Sequence, residues 1–129
     1  MEIVKQLSVF LENRPGTLAQ MCRELADAKI SIHALTVSDT VDHAVVRMLV
    51  NDPLKAAHLL GDRGLLVIER DVLVVDADNR PGELAEIAEK LAKVKVNVEY
   101  AYCASPRNAR RGIIVLRPSN VKKAFDALK

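Results

Sequence analysis

The sequence predicts an α+β fold made of two β-α-β-β-α-β units in tandem, the second lacking its last strand. Three observations carry that expectation. The chain repeats itself at an offset of 66 residues, each copy interleaves Val- and Ile-rich runs with helical patterns, and it stops after the second helix of the second copy. Residues 12–36 and 78–102 share nine of twenty-five positions without a gap, where unrelated stretches would share about one or two. Other positions exchange like for like, as Ile30 with Val96 and Ile32 with Val98. Beyond the next strand the offset grows to 68, so two extra residues sit near Ser105-Pro106-Arg107-Asn108.

Ile3 to Leu11 is apolar and rich in Ile and Val, as a strand buried on at least one face requires. Asn13-Arg14-Pro15-Gly16 breaks the chain, with Pro15 suited to the first helical position. Leu18, Met21 or Cys22, Leu25 and Ala26 then recur at helical spacing. Residues 30–37 read as strand, Ser38-Asp39-Thr40 as turn and residues 43–50 as strand. Asp52-Pro53 opens a helix with apolar Ala56, Ala57, Leu59 and Leu60, closed near Gly61 or Gly64. Residues 65–68 form a fourth strand.

The second copy gives strand 71–77, helix 81–94, strand 95–103, strand 111–117 and helix 120–128. Its first helix has Glu83, Glu86 and Glu89 early and Lys90 and Lys93 late, which complements the helix dipole. This order is the split-βαβ, ferredoxin-like unit. The boundaries read as 1–70 and 71–129. With no fourth strand of its own, the second copy is expected to leave strand 71–77 with an open edge for another chain to cover.

Composition narrows the function. No stretch approaches the ~20 apolar residues needed to span a bilayer, and the N-terminus has no secretion signal. Aromatics make up 3% and the formal charge is +2, a poor supply for nucleic-acid binding. Cys22 and Cys103 fit a reducing compartment, so a cytoplasmic location is expected. Both read as small packed side chains on a helix stripe and a strand. His33, His43 and His58 lack metal-ligand spacing. Arg107, Arg110 and Arg111 form one basic loop, with solvation as its default role.

Asn13-Arg14-Pro15-Gly16-Thr17-Leu18 and Asn79-Arg80-Pro81-Gly82-Glu83-Leu84 each lie between a strand and a helix. Ile-Ser-Ile or Val-Asn-Val follows each helix. In this the chain resembles ACT domains, as two units in tandem over nearly its whole length, and most of all small free-standing double-ACT proteins. The resemblance implies a regulatory module that binds an amino acid at an interface between ACT units, works as a homo-oligomer (a dimer), and needs no cofactor or metal. The ligand would lie between the Asn-Arg-Pro-Gly loop of one unit and the second strand of its neighbour.

The residues support that chemistry. Helix-start N–H groups favour an anion, and Gly16 and Gly82 offer no side chain to obstruct it. Asn13 and Asn79 carry a donor and an acceptor for a zwitterion. Candidate ligand-binding residues are Asn13, Arg14, Pro15, Gly16 and Thr17 with Ser31 and Ile32 in the first copy. Asn79, Arg80, Pro81, Gly82 and Glu83 with Asn97 and Val98 are their counterparts in the second. Asn97-Val98 matches the second-strand Asn-hydrophobic pair of ACT domains, whereas Ser31-Ile32 matches it in part. Pro-Gly is also a common helix start, so a purely structural turn is the alternative. Two others are a permanent regulatory subunit of a biosynthetic enzyme such as acetolactate synthase, and an acylphosphatase-like hydrolase using Arg80 and Asn97. Against the hydrolase, the glycine-rich phosphate loop is missing and Pro81 lacks an N–H. No catalytic residue is assigned.

Overall fold

The computed structural model describes residues 1–129. Six strands and four helices follow in the order β1 Glu2–Glu12, α1 Thr17–Asp27, β2 Ile32–Asp39, β3 His43–Val50, α2 Pro53–Asp62, β4 Leu66–Asp78, α3 Glu83–Lys93, β5 Val98–Ala104, β6 Arg111–Pro118 and α4 Val121–Leu128. The chain forms two compact units. One is Lys5–Arg70; the other joins Met1–Val4 to Asp71–Lys129.

In the unit Lys5–Arg70 the strand order is β2-β3-β1-β4. β1 pairs antiparallel with β3, setting Leu7 opposite Met48 and Val9 opposite Val46. Side chains alternate across a strand, so Leu7, Val9 and Leu11 share one face. There they pack with Met21 and Leu25 of α1 and with Ala56 and Leu60 of α2 into a buried aliphatic core. In the other unit, Leu73 and Ala77 meet Ile114 and Leu116 of β6, Ile87 and Leu91 of α3, and Ala124 of α4.

The sequence places two strands at 65–68 and 71–77. They are one continuous strand, β4. Glu69-Arg70-Asp71 is polar enough to resemble a turn, yet it holds no Gly, Pro or Asn to bend the chain. The open edge expected at 71–77 is also corrected. β4 has β6 on one side and β1 on the other, and it is Met1–Val4, the start of β1, that belongs to this unit. Beside the strands of Asp71–Lys129, the start of β1 thus supplies a fourth strand segment to this unit. The edge strands are β2 and β5.

Helix ends follow local chemistry. The Asp52 and Asn120 side chains cap α2 and α4 by accepting from Lys55 N at 3.1 Å and Lys123 N at 3.0 Å. Pro53 occupies the first turn of α2, where its missing N–H costs nothing. α1 and α3 close with the same C-terminal motif. Ile30 N donates to Leu25 O at 2.9 Å and Val96 N to Leu91 O at 3.0 Å, with Lys29 and Lys95 in the left-handed region at φ 62° and 59°.

Candidate functional site

The two Asn-Arg-Pro-Gly segments fold alike. Pro15 and Pro81 preset the second position of a turn, and Gly16 (φ 92°, ψ −18°) and Gly82 (φ 91°, ψ −10°) take the third. These angles are those of a type II turn, whose third position requires positive φ. The closing bonds run from Thr17 N to Arg14 O at 3.5 Å and from Glu83 N to Arg80 O at 3.3 Å. Pro15 is therefore a turn residue before the helix rather than its first residue, as the sequence expects. The glycine becomes the N-cap, and no side chain caps either helix. The next N–H groups, of Leu18 and Ala19 and of Leu84 and Ala85, fall in the first turn where no helical carbonyl precedes them. Space above the glycines is open. A Cβ on Gly16 would meet nothing within 4 Å, and one on Gly82 only Arg80 Nη1 at 3.8 Å.

Each loop is tied to the hairpin of its own unit. The Asn13 amide nitrogen donates to the Asp39 carboxylate and, at 3.1 Å, to Thr40 O. That of Asn79 donates to Ala109 O at 2.8 Å. Both acceptors of the Asn13 amide nitrogen and the one of Asn79 thus belong to the hairpin. Thr17 Oγ1 donates to Glu12 O at 2.8 Å and locks the first turn.

The copies part company at the arginines. Arg14 reaches back to Glu12, Nε to Oε2 at 2.6 Å. That hydrogen bond and charge hold the Glu12 carboxyl below its ordinary pKa. Arg80 reaches forward, with Nη2 at 2.7 Å from Glu86 and 2.8 Å from Glu83. Glu86 is correspondingly lowered and Arg80 raised, each chiefly by their mutual hydrogen bond. The first turn of α3 thus carries two carboxylates, that of α1 none.

The second-strand candidates sit at the other end of each sheet. Ser31 and Asn97 precede β2 and β5; Ile32 and Val98 begin those strands and pack on the two cores. β5 runs in the same direction as β4, both being antiparallel to β6. Asn97 is therefore a strand length, about 20 Å, from the Asn79–Gly82 loop of its own unit. The fold does not bring them together within one unit.

A Ser–Asn exchange also emerges that Ser31 alone conceals. Ser31 N donates to Asn51 Oδ1 at 2.9 Å, while Asn97 N donates to Ser119 Oγ at 3.0 Å. The first copy supplies its amide from the end of β3 instead of the start of β2. The 68-residue offset, which aligns Asn51 with Ser119, held that signal.

Each loop borders a cleft of about 160 Å³. The first lies beside α1 and is reached by Arg14, Thr17, Glu24 and Arg63. The second is bounded by Asn79, Arg80 and Leu84 and by Cys103 and Ser105. Cys103 is exposed, in contrast to the packed position its sequence suggests, because no helix covers edge strand β5 at that point. Cys22 does pack against the first core. His33, His43 and His58 are all exposed, and Arg111 pairs with Asp78 at 2.7 Å.

A family model describing an ACT domain pair matches residues 1–128. The chain belongs to the ACT domain pair family. This is a regulatory family. Among solved structures, protein BT0572 from Bacteroides thetaiotaomicron is 35% identical at a TM-score of 0.91, over 98% of this chain and 86% of that one. The ligand-free regulatory subunit of aspartate kinase from Thermus thermophilus shares the ACT-pair fold at a TM-score of 0.73 and 16% identity, covering 99% and 95%. Aspartate kinase from Synechocystis shares it at 0.66 and 21%, over 96% of this chain and 23% of that one. No curated protein matches significantly. No helix of this ACT pair is long and apolar enough to cross a membrane.

Proposed function

We propose that this ACT pair is an amino-acid-binding regulatory protein. Each compact unit is read as one ACT domain, with the ligand between the Asn-Arg-Pro-Gly loop of one and the second strand of a neighbouring one. The observation that carries the reading is a contrast among the four helices. Side chains cap α2 and α4, while α1 and α3 begin on bare glycines in open space. Helix-start N–H groups left without a cap suit a carboxylate. The distance between loop and second strand within one unit supports a ligand that bridges units. Such a ligand favours the arrangement in which both contacts exist, which is how binding would be passed on. A homodimer in the cytoplasm belongs to the same proposal, with edge strands β2 and β5 as the surfaces a second copy would extend.

Thermal-shift measurements against the twenty amino acids test it. A ligand at 100 times its dissociation constant stabilises the native state by about 2.7 kcal/mol. No shift with any amino acid at millimolar concentration overturns the reading. A second reading is a separate regulatory subunit of a biosynthetic enzyme. It is favoured by the full-length likeness to a protein that is itself a regulatory subunit. Retention of a catalytic chain through purification would support it.

A further inference from the structure

The face of β1 that turns away from the helices carries a groove of its own. Leu11 points into the first core, so Phe10 and Glu12 project to the opposite side of the sheet. Phe10 stands opposite Val45 and Glu12 opposite His43. With Thr40 on one flank and Leu66 on the other, they border a groove of about 560 Å³. Leu66 is 59% exposed, and Val41, in the adjoining Thr40–His43 turn, is 95% exposed. In the second copy the place of Phe10, opposite Ile113, is held by exposed Asp76. An apolar patch kept in one copy of a repeat and charged in the other marks a surface with a partner. Its polar margin is acidic. Arg14 engages Glu12, whereas the carboxylate of Asp42, between Val41 and His43, has no ion-pair partner.

The chain carries the complementary surface on its other hairpin. The two residues by which the second copy exceeds the first lie between β5 and β6. There Ala109 N donates to Pro106 O at 3.0 Å, which closes a tight turn with Arg107 exposed in it. The Asn79 amide nitrogen, donating to Ala109 O at 2.8 Å, holds the base of that turn. Arg111 is paired with Asp78, but Arg107 and Arg110 have no carboxylate partner.

We propose that the groove over Phe10 and Val45 in one copy of the chain receives the Pro106–Ala109 turn of a second copy. The Arg107 guanidinium stacks on the Phe10 ring and donates to Asp42, a combination of flat cation and fixed donors that lysine lacks. Pro106 and the methylene stem of Arg107 cover Val45 and Leu66. The turn is closed before contact, so little ordering entropy is lost there. Each copy offers one groove and one turn. Contacts made reciprocally close a dimer, and contacts made head to tail extend a chain. The contact needs neither a bound amino acid nor a strand edge, and so goes beyond the function proposed above.

Sedimentation velocity of the full chain over a range of micromolar concentrations tests it. Self-association is expected, and it should weaken as salt rises. Asp42→Arg and Arg107→Glu should each weaken it about tenfold or more. An equimolar mixture of the two variants should restore it, because each then meets the opposite charge on the other, a rescue that misfolded chains would not give. NMR of the unsubstituted chain supplies a readout free of any variant. Dilution should shift the Phe10 ring and Leu66 methyl signals and leave Leu84 in place. Association unmoved by both charge reversals, a mixture that fails to restore it, or Phe10 signals that ignore dilution overturns this contact and leaves pairing through the strand edges standing. A chain that stays monomeric throughout overturns both.

Discussion

Two glycines set the geometry of both loops. At φ near 90° an L side chain is strained even where nothing would touch it, by about 1–2 kcal/mol. Gly16→Ala and Gly82→Ala should each lower stability by about that amount in urea unfolding; unchanged midpoints would mean the type II turn is not maintained. The arginines add a pH dependence. Glu12 and Glu86 titrate below the ordinary 4.5 because Arg14 and Arg80 hydrogen-bond their charged forms. A carboxyl depressed in the folded state lends stability that is complete above its unfolded pKa and fades as pH falls through the folded one. Both groups are exposed, so acid should weaken the protein only modestly through them. Carboxyl NMR should place Glu86 below the usual value and return it to normal in Arg80→Ala. The Asn-Arg-Pro-Gly string was legible as a recurring break, because Pro and Gly carry their dihedral preferences with them. The opposite directions of Arg14 and Arg80 follow from Glu83 and Glu86, which only the second copy has in its first helical turn.

Among the elements, helix ends show what local sequence specifies. Asp52-Pro53 and Asn120 announce α2 and α4 unaided, and both caps form. The C-terminal ends of α1 and α3 do not announce themselves, since lysine holds the left-handed position that glycine ordinarily takes. Burial of Ile30 and Val96 just beyond fixes the chain there in spite of the strain. Lys29→Gly and Lys95→Gly should therefore raise stability, by up to about 1 kcal/mol each after the glycine's added unfolded-state entropy. Equilibrium unfolding checks this, and a decrease would show that the lysines make compensating contacts. The β5–β6 hairpin has its own constraint. A Cβ on Gly112 would lie 1.7 Å from Ser105 Oγ, 2.7 Å from Ser105 Cβ and 2.9 Å from Ala104 O. Gly112→Ala should disrupt this hairpin, with Ser105→Gly restoring part of the loss. Alternation and periodicity gave the strands and helices, but strand ends proved harder. The break assigned near residues 69–70 does not exist, because charged residues alone do not stop a strand.

For the whole molecule, the repeat predicts the fold while the partition of the chain departs from it. Counting elements gives Asp71–Lys129 parts of three strands, and sequence order gives no hint that Met1–Val4 would join them. Four residues have too little periodicity to choose a partner strand. Deleting residues 1–4 should uncover the edge of β4 just beyond Arg70. Hydrogen exchange should rise there, more than in β3 or α1, and the chain should associate more readily. Unchanged protection just beyond Arg70 would contradict the assignment.

The start of β1 also sets an order of events during synthesis. Met1–Val4 leave the ribosome well before Asp71–Lys129, the residues whose unit they complete. A hairpin or helix can close on residues just made; these four must wait for more than half the chain. The second unit therefore cannot reach its finished form before β4 emerges, and a chain released before residue 71 would leave those first residues without their strand place.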